Sequence, residues 1–408
     1  MTSVYGPVTD WQTDFDHVDP EYNKNIHAIW DDLKAGGCPI AHTERYGGTW
    51  LPLTHEMVHE IAYDTDHFTS RSVVVGQLKP SQMEGALPAP IGTAPPITSD
   101  PPFHQHARRI LLPAFSPKQI DPLRPKIESM CNDLIDQMGD KEFVDAAVEY
   151  AQHIPVLIIA HMLGLPLEDA DRFRGYVHLI LESVNEPRET RMVKMQEFGE
   201  YLQRHIDDHV ENPRDDLITF LLNSEIMGNK LSPEHVRGTV ILILIAGIDT
   251  TWSGIGNSLW HLAGNAVDRR RLSENPDLIP TAGEEFLRAY APVTMARLVK
   301  EDYNFHGVEM KEEDWVLLPF PAANRDPLQF PDADKVIIDR QENRHAAFGL
   351  GIHRCIGSNL ARLELNIAVE VFLRRFPDFE LNVNEETVWS TGQVRGPRRL
   401  PVRVLARN

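Results

Sequence analysis

The run Phe348-Gly349-Leu350-Gly351-Ile352-His353-Arg354-Cys355-Ile356-Gly357 carries one cysteine through a glycine-rich turn to the start of a segment that reads as a helix over 358–376. A thiol in that position meets unpaired amide donors and the positive end of a helix dipole, which favour thiolate over thiol. Several chemistries use such a sulfur. Zinc takes about four ligands, and Cys38 and Cys131 stand alone in the sequence, so zinc fits poorly. A cysteine nucleophile needs a base and an oxyanion hole; His353 stands two residues away, but no nearby pattern orients it. A dinucleotide turn wants a third glycine where Arg354 stands, and a long preceding strand. No Cys-x-x-Cys-His run offers covalent haem attachment. An axial thiolate to a non-covalent haem iron remains, with glycines letting the backbone approach a macrocycle closely.

A second polar cluster lies in an apolar setting. Ser232-Pro233-Glu234 combines an N-cap, a proline at the first helical position and an acid in the first turn. The helical pattern that follows reaches Gly264, about 31 residues or roughly 46 Å at 1.5 Å per residue. Its middle, 240–246, is apolar all round, which predicts burial on every side. Gly247, Asp249, Thr250 and Thr251 then interrupt it, and polar groups in such a place need a reason. Further on, Glu285 and Arg288 share one face of a helix beginning near Ala282, where an isolated pair would be a surface salt bridge worth little. Cys131 lies on the apolar stripe Ile127, Cys131, Leu134, Ile135, Met138 and reads as core. Cys38 with His42, next to Pro39, supplies too few ligands for a metal.

The elements that must position these groups are mostly helical. Segments 151–164, 169–184 and 191–210 alternate apolar and charged faces at helical spacing. Strand signals are confined to short stretches such as 50–53, 303–310 around a His306-Gly307 turn, and 315–318. The fold class is therefore mostly α with a minor β part (α+β). Seven prolines between positions 80 and 102 forbid a continuous helix there, and a loop of that length commonly serves as a lid or binding loop.

The 408 residues suffice to bury about three quarters of the extended chain's surface. Forty basic against sixty acidic residues leave a formal charge of −20, which argues against bulk electrostatic grip on nucleic acid or an anionic membrane. Three cysteines build no disulfide framework and suit a reducing compartment. The amino terminus has no apolar h-region, and no run approaches the ~18 apolar residues of a membrane span. A soluble, cytoplasmic protein with no nucleic-acid or membrane partner is expected.

The ten residues from Phe348 to Gly357 resemble the cysteine-ligand signature of the cytochrome P450 family, with the phenylalanine, both key glycines, the histidine and the cysteine in register. Three further motifs occur in the family's order. The resemblance implies one haem-thiolate domain over 1–408, with a long central helix above a buried haem b (iron protoporphyrin IX). Cys355 is then the sole protein ligand of the iron, and Phe348, Gly349, Gly357 and Ala246 border the haem. The segment Ala246-Gly247-Ile248-Asp249-Thr250-Thr251 resembles the oxygen-activation motif. A threonine hydroxyl there bonds back to the Ala246 carbonyl and loosens the helix. Thr250 would steady the oxygen being activated while Asp249 helps relay protons from solvent.

The pair Glu285 and Arg288 resembles the family's buried Glu-x-x-Arg. The segments 324–327, 330–332 and Asp339-Arg340 resemble the later meander that adds a third member, here Arg340. His104 and Arg108, Arg297, and His345 match sites that clamp the haem propionates, which want cationic donors. Substrate contacts are implied from 72–98, a helix around 173–186, Leu242 to Ala246, Val293, Thr294, and 392–394 with Val394. A compact, mainly hydrophobic organic substrate follows, with Arg71 or Lys79 available to a carboxylate.

The implied activity is insertion of one atom of dioxygen, by hydroxylation or oxidative dealkylation. The alternatives are a peroxide-driven hydroxylase and a non-catalytic haem-thiolate binding or sensor protein, and Asp249-Thr250 weighs against both. No flavin, nicotinamide or iron-sulfur segment is found up to Asn408, so electrons are expected from a separate ferredoxin and reductase, unless this is the haem part of a fusion. Arg108, Arg109, Arg344, Arg354 and Arg362 would ring the cysteine-side face and receive an acidic ferredoxin, because local charge outweighs the total at a screening length of about 8 Å.

Overall fold

The computed structural model describes residues 5–37, 39–76, 79–82, 92–183 and 186–408. Cys38 and residues 83–91 of the proline-rich loop lie outside these. The organising element is the helix Pro233–Gly264, whose Ser232 hydroxyl accepts from the His235 amide at 3.2 Å. It packs against helices His153–Leu163, Ala170–Leu181, Ile279–Ala289 and Ser358–Arg375. By length and composition alone it could cross a membrane, but 67% of its most apolar stretch is buried inside the protein. Its backbone is helical throughout, so Gly247 to Thr251 do not break it. The expectation of burial on every side is corrected in one respect. Ile243, Leu244 and Ile248 are buried, whereas Leu242 and Thr250 are half-buried and Ala246 is exposed. These three, four residues apart, form one stripe that faces an internal cavity rather than protein.

The expected helices form at His153–Leu163, Ala170–Leu181 and Arg188–Glu211, and every member of the Cys131 stripe is buried. A five-stranded sheet runs in the order Ile40–Thr43, Thr49–Pro52, Trp315–Pro319, Thr294–Val299, Phe68–Thr69. The predicted strands are present, and the hairpin Tyr303–Phe305 with Val308–Met310 turns at His306 and Gly307, both in the left-handed region. The strand Thr294–Val299 gave no sequence signal. It is buried along almost its whole length, so it lacks the alternation that marks a half-buried strand. Its antiparallel pairing sets Arg297 opposite Val316. A three-stranded sheet of Asp378–Leu381, Pro401–Ala406 and Phe143–Asp145 closes the helical side.

The helix Ile279–Ala289 starts three residues before Ala282, with a proline in its first turn. Glu285 and Arg288 on it are fully buried. Arg288 Nε and Nη2 donate to the two Glu285 oxygens at 2.8 Å each, and Arg340 Nε donates to Glu285 Oε2 at 3.0 Å. The remaining Arg288 donors hold the carbonyls of Asn324, Ala333 and Lys335 at 2.9, 2.9 and 2.6 Å. This is a buried network rather than a surface pair, and all its valences go to fixing the 324–340 turns. Removing one partner leaves an uncompensated buried charge. Arg288→Ala should therefore destabilise the protein by about 3–5 kcal/mol, read as a lower denaturant midpoint, whereas Arg374→Ala, at a half-exposed pair with Glu128, should change it by less than about 1 kcal/mol.

Candidate functional site

The cysteine loop is assembled from its backbone. The Cys355 amide donates to the Phe348 carbonyl at 2.7 Å, and the Gly349 amide to the Ala346 carbonyl at 2.9 Å. The Ala346 amide in turn donates to Asn324 Oδ1 at 2.7 Å, which ties the loop to the turns anchored by Glu285. Gly351 adopts φ +67 and packs so closely on the Ala62 carbonyl that a Cβ would collide with it, so only glycine serves there. Phe348 carries the Arg362 guanidinium over its ring at 4.3 Å. The helix beginning at Ser358 does not make Cys355 a thiolate by itself. Burial pushes the thiol above its usual range, against the Gly357 amide and the charges of Arg108, Arg354 and Arg362. A stable thiolate here calls for a cation facing the sulfur, which suits a metal ligand better than a free nucleophile.

Cys355, Phe348, Gly349, Gly357, Leu360 and Ala361 line a cavity whose other wall is the Leu242, Ala246, Gly247, Thr250 and Thr251 stripe of the long helix. Thr250 Oγ1 donates to the Ala246 carbonyl at 2.7 Å, the back-bond expected from the sequence. Asp249 does not line the cavity. It is fully buried on the far side of the helix, with Oδ1 2.7 Å from Arg398 Nη2. Burial pushes its carboxyl up to about 6, opposed by Arg398 and assisted by the charge of Glu182. Glu364, on the helix that follows Cys355, also lines the cavity. It is fully buried, neither of its oxygens has a hydrogen-bond partner among the described residues, and burial drives its pKa well above the usual carboxylate range. Nothing in its local sequence marked it out from the charged faces of other helices.

Of the proposed substrate contacts, Leu242, Ala246 and Val293 line the cavity, joined by Pro96, Ile97, Leu287 and Met295. Thr294 and Val394 do not. Thr294 exchanges hydrogen bonds with Gln393, from its amide at 2.9 Å and to its carbonyl at 2.8 Å, and Val394 bridges to Val293. Because side chains alternate along a strand, Val293 and Met295 face the cavity while Thr294 between them turns away. No described residue of 173–186 reaches the cavity, nor does Arg71; Lys79 is held at the Gly47 carbonyl, 2.7 Å away.

One edge of the site is cationic. Arg108, Arg297 and His353 line the cavity, and His104 lies 4.3 Å from the His353 ring, centroid to centroid. Burial lowers the pKa of Arg297 to about 10 and of His104 to about 4, and pulls His353 well below its ordinary value. Both ring nitrogens of His104 are buried without a hydrogen-bond partner among the described residues. His353 is oriented by Ser70 Oγ at 2.9 Å. His345 is the correction. Its Nε2 lies 3.2 Å from Glu284 and its Nδ1 accepts from the Ala347 amide at 3.2 Å, so it faces away from the cavity. Burial would raise the Glu284 carboxyl, but His345 and Arg362, the latter at 2.6 and 2.9 Å, hold it down to about 2. His353 takes the place assigned to His345. Its fixed spacing, two residues before the cysteine, was the available signal.

Two desolvated guanidiniums and two imidazoles held neutral by burial, all hydrogen-bond donors, beside an apolar space floored by a cysteine and glycines, fit a haem with its two propionates at that edge. A family model described as Cytochrome P450 matches residues 147–390. The chain is 31% identical over 401 residues to Cytochrome P450 CYP107DY1 of Priestia megaterium, covering 95% of this chain and 98% of that one. It is 32% identical over 362 residues to the mycinamicin IV hydroxylase/epoxidase of Micromonospora griseorubida, covering 86% and 89%. The fold superimposes on CYP109E1 from Bacillus megaterium, solved in complex with testosterone, with a TM-score of 0.86 and 28% identity over 95% of this chain and 100% of that one.

A charge-assisted hydrogen bond to a buried group is worth about 1.5–3 kcal/mol. His353→Ala should therefore speed transfer of haem to an excess of a high-affinity haem acceptor by roughly 10- to 100-fold, while His345→Ala should leave that rate within about threefold of wild type. The opposite ranking would return His345 to the propionate edge.

Proposed function

Because the chain belongs to the cytochrome P450 family, whose members are haem b monooxygenases, we propose that it inserts one atom of dioxygen into a mainly hydrophobic organic substrate, with electrons from a separate ferredoxin and its reductase. The observation that carries this reading is the pairing, in one cavity, of Cys355 on the floor with the Thr250 hydroxyl on the roof. When bound, haem b supplies the iron at which dioxygen is reduced and split. The chain's residues then have separable tasks. Cys355 would ligate the iron; Arg108, Arg297, His104 and His353 would fix the orientation of the ring through its propionates. Thr250 already directs its proton at the Ala246 carbonyl, which leaves its oxygen lone pairs to hold a water in the cavity. Asp249 would replace that water's proton, handing it on past Thr250 because the carboxyl itself does not reach the cavity.

The lining at Ile97, Leu242, Ile243, Leu287, Val293 and Met295 supports an apolar substrate oriented by shape rather than by charge. The names of the relatives, a mycinamicin IV hydroxylase/epoxidase and a testosterone complex, support hydroxylation or epoxidation of such a molecule. A location in the bacterial cytoplasm belongs to the same reading. The ferredoxin face is narrower than expected. Arg108 donates to the Arg354 carbonyl and lines the cavity, and Arg362 serves Glu284. Arg109, Arg344 and Arg354 are the exposed ones, and an acidic ferredoxin would meet these.

Given a substrate found by its displacement of the axial water in a spin-state screen, wild-type protein should place one labelled atom from isotopic dioxygen into the product. Thr250→Ala should keep its haem but release most of the reducing equivalents as peroxide, with product per reductant falling roughly tenfold or more. An unlabelled product would refute the monooxygenase reading. Unchanged coupling in Thr250→Ala would remove Thr250 from it.

A further inference from the structure

Gly238 and Thr239 sit on the long helix one turn before Leu242 and Ile243, which line the cavity. Both are buried, and neither lines the cavity itself. Thr250 bonds back to the Ala246 carbonyl, as threonines within helices commonly do. Thr239 directs its proton to another segment: its Oγ1 donates to the Pro95 carbonyl at 3.0 Å, away from water. Beside it, a Cβ on Gly238 would stand 2.4 Å from the Thr93 carbonyl oxygen and 3.1 Å from Pro95 Cδ. The obstacle is backbone, so only glycine lets the loop lie this close to the helix.

The loop needs what the helix supplies. Pro95 and Pro96 carry no amide proton, so this stretch has acceptors to satisfy and few donors of its own. The Pro96 carbonyl accepts from the Ser99 amide at 3.2 Å, and Thr98 Oγ1 accepts from the Ala94 amide at 2.8 Å. Those bonds close the turn on itself. Two anchors then fix it to the rest of the protein. On the sheet side the buried Asp100 carboxylate accepts from the Ser70 amide at 3.0 Å and from the Thr69 hydroxyl. On the helix side stand the Gly238 notch and the Thr239 hydroxyl. Between the anchors lie Pro96 and Ile97, and both line the cavity. The sheet anchor also bears on the cationic edge, because Ser70 Oγ meets His353 at 2.9 Å. The helix anchor has no such second contact.

We propose that Gly238 and Thr239 are positioning residues for substrate selection: they set how far Pro96 and Ile97 enter the cavity, and so the bulk of the organic substrate it accepts. This rests on the reading of that cavity as the substrate site. With no Cβ at 238 the loop beds down on the helix and narrows the space facing Leu242 and Ala246. A methyl group at 238 pushes the Thr93 carbonyl away from the helix. Loss of the Thr239 hydroxyl leaves the Pro95 carbonyl buried without a donor, and the loop must lift to reach water. Either change draws Pro96 and Ile97 back and widens the site.

The test is an optical titration of the ferric holoenzyme with imidazole, phenylimidazole and biphenylimidazole, whose ring nitrogen ligates the haem iron and shifts the Soret band without turnover. In Gly238→Ala and Thr239→Val the affinity for biphenylimidazole relative to imidazole should rise roughly tenfold, with imidazole itself within about threefold of wild type. Thr239→Ser keeps the hydroxyl and should keep the wild-type ratio. A merely structural role would weaken all three probes together. A ratio unchanged or lowered in Gly238→Ala and Thr239→Val would overturn the proposal, as would equal ratios in Thr239→Ser and Thr239→Val. If Gly238→Ala does not fold, the two Thr239 variants decide alone. The readings fail separately: product without a labelled oxygen atom defeats the monooxygenase and leaves these ratios standing, whereas unmoved ratios defeat only the present inference.

Discussion

A carboxylate with no water around it fixes where the reactive sulfur stands. Glu285 accepts from Arg288, Arg340, Asn343 and the Ile337 amide, and a buried charge of this kind persists only where every lone pair is met. To meet them, the turns between 324 and 340 have to fold around the helix Ile279–Ala289. Asn324, held there through its carbonyl, presents its side chain to the Ala346 amide, and the loop from Ala346 to Cys355 grows from that point. The network lies outside the cavity, yet its rigidity is what lets a loop hold one atom with the tolerance that a metal ligand requires.

Two unlike surfaces then define the cavity. The stripe of the long helix and the strand Thr294–Val299 contribute apolar groups, while one edge gathers two guanidiniums and two imidazoles. Burial depresses the pKa of each of these four, and the ring nitrogens of His104 find no hydrogen-bond partner among the described residues. A flat cofactor with two carboxylates at one end would match this edge, with its ring between Cys355 and Thr250. The same long helix presents Thr250 on its cavity face and Asp249 on its buried face, where Asp249 meets Arg398.

The motif around Cys355 and the caps and length of the long helix were legible in the sequence because each depends on residue type at fixed spacing, whereas the burial of the Glu285 and Arg288 pair followed only from the family resemblance, its spacing alone reading as a surface pair. Three other features were not. Thr294–Val299 is buried on both faces and so carries no alternation. The spacing of His353, two residues before the cysteine, was a signal passed over in favour of His345, and the direction in which His345 points, toward Glu284 on another helix, is set by a contact no local pattern shows. Arg398 and Glu182 stand 149 and 67 residues from Asp249, and no local pattern links them. Apolarity around 240–246 was read as burial on every side, but a cavity wall demands the same residue types as a core. What composition cannot reveal is whether the opposing surface is protein or space.

The central claim is that Cys355 binds the haem iron as a thiolate, and the carbon monoxide difference spectrum of the reduced protein tests it most directly. Wild type, Cys131→Ala and Cys38→Ala should each give the strongly red-shifted Soret band of a thiolate-ligated ferrous haem, and Cys355→Ala should lose it. A red-shifted band that survives in Cys355→Ala, or a wild-type band at the position of histidine-ligated haem, would contradict the account.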